Sequence, residues 1–386
     1  MKVLMVNTPQ SPKLKGGDTL QMVKTAEALV QLGVEVVIST HAEPDGRGFD
    51  VAHVFNLRTI DATERQVAAL ARYDVPIVMS PIYLEISQAL WGSTAVAQIF
   101  SEPRSESELA ELLEKLKLRT LDLQQPVGVQ ASACSGPGTI LRGDGVNRPF
   151  PDYDDRQRRI LARVCHLLPN SAMEMSALMC TLGVTSIPFT VVPYGADAGL
   201  FLNADPEPFV KRFGLRDFVL QVGRVEPAKN QAMLCYAMKS LDLPLVLIGH
   251  PAHRGYAEAC RRLLPKYSLV IEHLPQEQLA SAYAAARVHA LPSWVETCGL
   301  VSMEAALADC SLVLSTAGYE CEYYEGFGYY CDPADADSIR EAVQSAWERY
   351  ERDAELRMRL RSRILTEFTW QAAATTALRA YESTCC

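Results

Sequence analysis

The chain opens on a continuous apolar run, KVLMVN, followed by the polar loop TPQSPKLKGG and then by DTLQMVKTAEALVQLG. In the last stretch Leu20, Val23, Leu29 and Leu32 form an apolar helical face, with Asp18 placed to cap its start and Gly33 to stop it. VEVVIS then returns as a second run of strand length. A buried-type strand, a helix and another such strand predict a parallel unit of the doubly wound kind. VAHVFN (51–56), PIVMS (76–80), PVGVQA (126–131) and VCHLLPNS (164–171) predict further strands of that sheet. Before Pro126, SEPRSESELAELLEKLKLRTLDLQQ predicts a charged amphipathic helix.

After VVPYGAD (191–197) the texture changes to NADPEPFVKRFG, polar and proline-containing, which marks a hinge between domains. A second alternating series follows. Strands FVLQVG, LVLIGH, SLVIEH, VHALP and SLVLST alternate with helices starting near Asn230, Tyr256, Gln276 and Gly299, and a long helical stretch closes the chain with no strand after it. The fold class predicted is α/β, two doubly wound, Rossmann-like parallel-sheet domains. Facing each other, they would bring the carboxyl ends of both sheets to one cleft, where such sheets bind ligands.

Composition narrows the function. The 386 residues suit two domains of ordinary size, and the 48% apolar and 22% charged content is that of a globular protein. A net charge of −9 argues against nucleic acid as the main partner. No apolar run approaches the 18 or so residues of a transmembrane span, and Met1 to Val6 is too short and polar-flanked for a signal peptide. A cytoplasmic location is expected, with peripheral contact at the inner membrane face left open. The 11 cysteines show neither a disulfide framework nor Cys-x-x-Cys metal spacing.

Candidate chemistry lies in three loops that each follow a strand. Gly16 and Gly17 precede a helix, so bare amides and the positive helix end can meet an anion, with Lys13 and Lys15 nearby; the same GG also serves as an ordinary turn. VGRVEPAKNQ (222–231) places Arg224 and Lys229 together, a fork and a mobile point charge suited to a diphosphate. It fits as well a solvated loop in which Arg224 pairs with Glu226. ETCGLVSME (296–304) sets Glu296 at a strand end, Gly299 at a helix start and Glu304 a turn inside. There a phosphate meets helix amides, and a carboxylate among apolar neighbours wants partners such as sugar hydroxyls.

At these residues the chain resembles a known family. PSWVETCGLVSMEAALA resembles the signature of retaining glycosyltransferases of family 4, which have the GT-B fold and a Glu, seven-residue, Glu motif. VGRVEPAKNQ is similar to that family's diphosphate loop, KGGD to its amino-terminal glycine loop, VVPYGAD to the segment joining its domains, and EFTWQAAATTALRAYE to its closing helix. The likeness is thin between about residues 80 and 165. It implies an amino-terminal acceptor-side domain over 1–197, a nucleotide-sugar domain over 198–365, and a closing helix, 366–386, that crosses back.

It also implies roles. Arg224 and Lys229 would bind the diphosphate of a UDP- or GDP-sugar, Glu304 the ribose hydroxyls and Glu296 the transferred sugar. The amides near Gly299, Leu300 and Val301 would surround sugar and phosphate. Gly16 and Gly17 would close on the phosphates, and His273 and Leu274 would pack on the base. Catalysis would fall to Glu296, Arg224 and Lys229, with retention and with neither metal nor cofactor, in keeping with a sequence that has no Asp-x-Asp pair or His/Cys ligand cluster.

One departure stands out: where the family often carries a His after the strand PIVMS, SPIYLE has Ile82, leaving Tyr83 and Glu85 as candidates for acceptor contact. His53, His250 and His289 are expected to be satisfied structural histidines. The arginines of RPFPDYDDRQRRILARVC suit either a solvated helix or an anionic acceptor or lipid surface. The function expected is sugar transfer to a glycan or lipid-linked acceptor in cell-surface polysaccharide assembly. The alternatives are a sugar-nucleotide epimerase and a non-catalytic scaffold.

Overall fold

The computed structural model of the chain describes residues 1–9, 16–124 and 151–384. It divides into two compact units, one taking in the described residues of Met1–Leu84, Pro149–Asp197 and Ser362–Cys386, the other those of Glu85–Arg148 and Ala198–Arg361. PVGVQA, Lys13 and Lys15 lie outside the described residues.

In the first unit β1 (Lys2–Val6), β2 (Glu35–Ser39), β3 (Val51–Phe55), β4 (Ile77–Ser80) and β5 (His166–Leu167) form a parallel sheet in the order β2-β1-β3-β4-β5. Strands β1, β3 and β4 are covered on both faces, which is why they read as unbroken apolar runs. VCHLLPNS supplies only the two residues of β5.

The helix Gly17–Gln31 starts two residues earlier than its expected capping residue predicts: Gly16 is the cap, and Asp18, inside the first turn, accepts from Asn56 Nδ2 at 3.0 Å instead. Its buried face is also rotated. Leu20 and Leu32 are exposed, while Gln21, Met22, Thr25, Ala26, Ala28 and Leu29 turn inward. Gln21 goes in because its amide donates to Asn170 Oδ1 at 2.6 Å, and the small residues let the helix Trp370–Thr384, buried through Ala373, Ala374, Ala377 and Ala380, pack close.

His53 on β3 is satisfied as expected. Its Nδ1 lies 2.7 Å from Tyr381 Oη and its Nε2 2.9 Å from Ser80 Oγ. Burial pulls its pKa down to about 3. The native state therefore refuses a proton that the unfolded chain binds below about 6.5, so the stability His53 contributes is full at neutral pH and is lost as pH falls. Thermal midpoints between pH 7 and 4.5 are expected to fall less steeply in His53→Gln than in the wild type.

The arginines of the helix Tyr153–Leu161 are engaged within the same unit. Arg156 pairs with Asp61 at 2.7 Å and Glu64 at 2.6 Å, and Arg158 with Asp155 at 2.7 Å. That matches a structural helix face more closely than an anion-binding surface.

In the second unit β6 (Val219–Val222), β7 (Leu245–Ile248), β8 (Leu269–Ile271), β9 (Val288–Leu291), β10 (Ser311–Ser315) and β11 (Tyr329–Cys331) form a parallel sheet ordered β11-β10-β9-β6-β7-β8. β11 has no counterpart among the expected strands; YYC is short and only its cysteine is buried. Residues 85–124 add two helices, Ser87–Ile99 and Glu106–Gln124, in place of the single helix expected. Trp91, Val96, Ile99, Leu113 and Leu116 share one core with Leu234, Met238, Leu247 and Val343. Chain continuity suggests the first sheet for these helices; their apolar face is buried in the second unit.

Candidate functional site

The strand order of the second unit reverses between β6 and β9, so the loops leaving these two strands diverge there and open a crevice at their carboxyl ends. Arg224 and Lys229 lie on the first loop, and Glu296 and Gly299 on the second. Three side chains tie the loops down. Gln221 Nε2 donates to the Lys229 carbonyl at 2.7 Å, and Gln231 Nε2 to the Arg224 carbonyl at 2.9 Å. Asn230, fully buried, donates to the Pro292 carbonyl at 3.0 Å and the Pro333 carbonyl at 2.8 Å. Trp294 N–H adds a bond to the Ala228 carbonyl at 2.9 Å. Backbone groups are thus satisfied by specific partners, and the charged side chains are left for other work.

Lys229 Nζ donates to Glu296 Oε1 in an ion pair whose side chains are 22% and 11% exposed. Arg224 differs. Its side chain is 68% exposed and pairs with Glu226 at 2.9 Å, the contact the solvated-loop alternative predicts. An exposed pair of this kind contributes at most about 1 kcal/mol to stability, whereas a charge-assisted bond to a phosphate contributes about 1.5–3 kcal/mol. Arg224→Ala is expected to leave the unfolding midpoint nearly unchanged and to weaken binding of a diphosphate ligand about tenfold or more; calorimetric titration measures the second effect.

Gly299 caps the helix Leu300–Leu307 with φ 59° and ψ 71°. Its carbonyl accepts from Ser302 N–H at 2.8 Å and Tyr324 Oη at 3.2 Å. The amides of Leu300 and Val301 belong to the helix's first turn, where no intrahelical acceptor exists and the dipole favours an anion. Glu304 is half-buried and accepts from Tyr283 Oη at 3.0 Å. Burial, then Glu304's charge, push the Tyr283 phenol well above its usual range, so it stays a donor.

A third carboxyl, absent from the sequence-based set, joins the site from the loop after β10. Glu320 is fully buried and accepts from Ser302 Oγ at 3.1 Å. Nothing in its spacing from Glu296 announces it, because the two meet only through the pairing of β9 with β10.

The other sequence-predicted residues are placed as follows. His273 is exposed and Leu274 is 6% exposed, both just past β8, at the far edge of the sheet. Gly16 and Gly17 open the first helix of the first unit and are exposed. Tyr83 is 2% exposed and its N–H donates to Glu174 Oε1 at 2.7 Å. The Glu85 carboxylate accepts from Ser87 N–H at 3.1 Å and Ser87 Oγ at 2.7 Å, at the start of the helix Ser87–Ile99. Ile82 is 5% exposed at φ 47°, a strained conformation for a β-branched residue.

His289 is fully buried on β9, and burial pulls its pKa down to about 3, with the backbone of Leu220 pulling partly back. It is a neutral packing residue of β9. His250 is exposed.

Known proteins share this stretch of sequence and this fold. The family model of glycosyl transferases group 1 matches residues 207–363, the stretch that carries Arg224, Lys229, Glu296, Glu304 and Glu320. Residues 207–363 thus resemble a group 1 glycosyltransferase domain. The D-inositol 3-phosphate glycosyltransferase of Mycobacteroides abscessus is 28% identical over 192 residues, covering 47% of this chain, and the chain spans 43% of that protein's length. That of Corynebacterium efficiens is 24% identical over 349 residues, 82% of this chain and 80% of its own.

Among solved structures, sucrose-phosphate synthase from Thermosynechococcus elongatus superposes with a TM-score of 0.72 at 17% identity, over 99% of this chain and 98% of that one. Anabaena HepE in complex with UDP gives 0.69 at 15% identity, over 99% and 100%. The fold is the GT-B fold of these glycosyltransferases, with two Rossmann-like parallel-sheet domains. Among the described residues no helix is long and apolar enough to cross a membrane.

Proposed function

We propose that the protein transfers a sugar, with retention of anomeric configuration, from a nucleoside diphosphate sugar to a hydroxyl group of a glycan or lipid-linked acceptor. The observation that carries this is the Lys229–Glu296 pair at the switch point of a group 1 glycosyltransferase domain, beside the amino end of the helix Leu300–Leu307. Lys229 has three N–H donors, so it can hold Glu296 and a phosphate oxygen together, while the second carboxylate oxygen of Glu296 accepts from sugar hydroxyls. Arg224 and the amides of Leu300 and Val301 supply further positive potential as charge builds on the departing diphosphate. Glu304, oriented by Tyr283, takes the ribose hydroxyls.

These groups supply the charge stabilisation for a departure without a metal ion, and the role assigned to each follows the resemblance of the two loops to family 4. The neighbours solved with UDP and with UDP-glucose make a uridine diphosphate sugar the first donor to examine. The relatives named for D-inositol 3-phosphate support a polyol or glycan hydroxyl as acceptor. A setting in cell-surface polysaccharide assembly, on the cytoplasmic side of the membrane, rests on the resemblance alone.

Thermal unfolding with UDP and with GDP tests the donor side. A nucleotide at 100 times its dissociation constant stabilises by about 2.7 kcal/mol, and Lys229→Ala is expected to lose most of that shift. No shift with either nucleotide at millimolar concentration overturns the proposal.

A further inference from the structure

Glu320 is the least explained group in the site. It opens the short helix Glu320–Tyr324, is 0% exposed, and receives one bond at Oε1, from Ser302 Oγ at 3.1 Å. Its Oε2 is buried with no hydrogen-bond partner among the described residues. The cation of the site, Lys229, is bonded to Glu296. An ionised carboxylate buried with one hydroxyl for company carries a desolvation cost of several kcal/mol, which a neutral acid avoids.

Its surroundings reinforce this. Burial first, then the Glu296 charge, push the Glu320 carboxyl well above its usual range, with Lys229 and the Ser302 bond pulling only partly back. The other titratable groups facing it, Cys298, Tyr324 and Cys331, are themselves raised by burial and so stay neutral.

The same segment packs against the Gly299 turn and the Glu296 backbone. A Cβ on Gly299 would lie 2.1 Å from Glu320 Oε1, so the carboxyl fills the space that only a glycine leaves. Tyr319 N–H donates to the Glu296 carbonyl at 2.9 Å. Gly318, at φ 93°, runs so close that a Cβ there would lie 2.4 Å from that same carbonyl oxygen.

We propose that Glu320 is a positioning residue: as a neutral acid it holds the Gly299 turn and the Ser302 hydroxyl in place and leaves Glu296 as the one ionised carboxylate beside Lys229. This rests on the reading of Lys229 and Glu296 as the groups that hold the donor. An ionised Glu320 competes for Lys229 and repels Glu296, so donor binding weakens as pH rises far enough to ionise it.

Two measurements test the proposal, with Glu320→Gln as the neutral isostere and Glu320→Ala as the deletion. The first is thermal unfolding between pH 5 and 9. A native state that keeps a proton the unfolded chain releases above the ordinary value of 4.5 loses stability as pH rises through that window. The wild type is therefore expected to lose stability relative to Glu320→Gln as pH increases; parallel profiles overturn the neutral acid.

The second is calorimetric titration with UDP and with GDP at pH 7 and 9. Glu320→Gln is expected to bind within threefold of the wild type at pH 7 and to lose the wild type's weakening at pH 9, while Glu320→Ala weakens binding at least tenfold at both. Equal losses in the two variants, or none in Glu320→Ala, overturn the positioning role. A wild type that binds neither nucleotide removes the functional reading and the positioning role with it, and the unfolding profiles still decide the protonation state.

Discussion

Gly299→Ala is expected to lower the proposed sugar transfer about a hundredfold and to destabilise the second unit by about 3 kcal/mol. Two costs add. At φ 59° an alanine pays about 1–2 kcal/mol that glycine does not. Its Cβ also arrives 2.1 Å from Glu320 Oε1 and 3.0 Å from Ser302 Oγ, so a fully buried carboxyl must move, and overpacking of this kind costs about 1–3 kcal/mol. The backbone that yields carries Glu296 on one side and the amides of Leu300 and Val301 on the other. A displacement of about 1 Å at reacting groups lowers rates about a hundredfold. Urea unfolding and nucleotide release from the donor measure the two effects; wild-type values for both contradict the geometry described for this turn.

Glu296→Ala is expected to lower turnover by about two to three orders of magnitude, the scale found when one group aimed at a developing charge is removed, while nucleotide affinity stays within a few-fold. Arg224, Lys229, the helix amides and Glu304 remain to bind the nucleotide, and Lys229, freed of its partner, is still 22% exposed to water and phosphate. Lys229→Ala behaves differently. It removes a phosphate ligand and strands Glu296, 8% exposed and next to Glu320, without its cation, so both binding and stability fall. Nucleotide titration and initial rates on the same preparations separate the two variants. Equal loss of binding in both contradicts the division of labour between the acid and the lysine.

The alternation of strand and helix was legible because both sheets are parallel and covered, so β1, β3, β6, β7 and β9 read as apolar runs between helical patterns. The loops that follow β6 and β9 were legible too, since charge and glycine gather there against an apolar background. Glu320 was not. Its carboxyl reaches the site through strand pairing, and its own segment, TAGYECEYYEG, is polar enough to pass as a surface turn. The helix Ser87–Ile99 was not read, and the one after it was grouped with residues 1–197 although its apolar face joins the core of the second unit, because a local apolar period says that a face is buried and not what buries it. The face of Gly17–Gln31 was misjudged for a related reason: Gln21 and Thr25 go inward on hydrogen bonds and small size, which hydrophobicity does not weigh.

The most direct test of the central claim is nucleotide release from a panel of UDP- and GDP-sugars, run on the wild type, Glu296→Ala and Lys229→Ala. The wild type is predicted to release the nucleotide from one donor class, Glu296→Ala to bind that donor but release at least a hundredfold more slowly, and Lys229→Ala to do neither well. Release at the wild-type rate by Glu296→Ala, or none from any donor by a wild type that binds nucleotide, contradicts it.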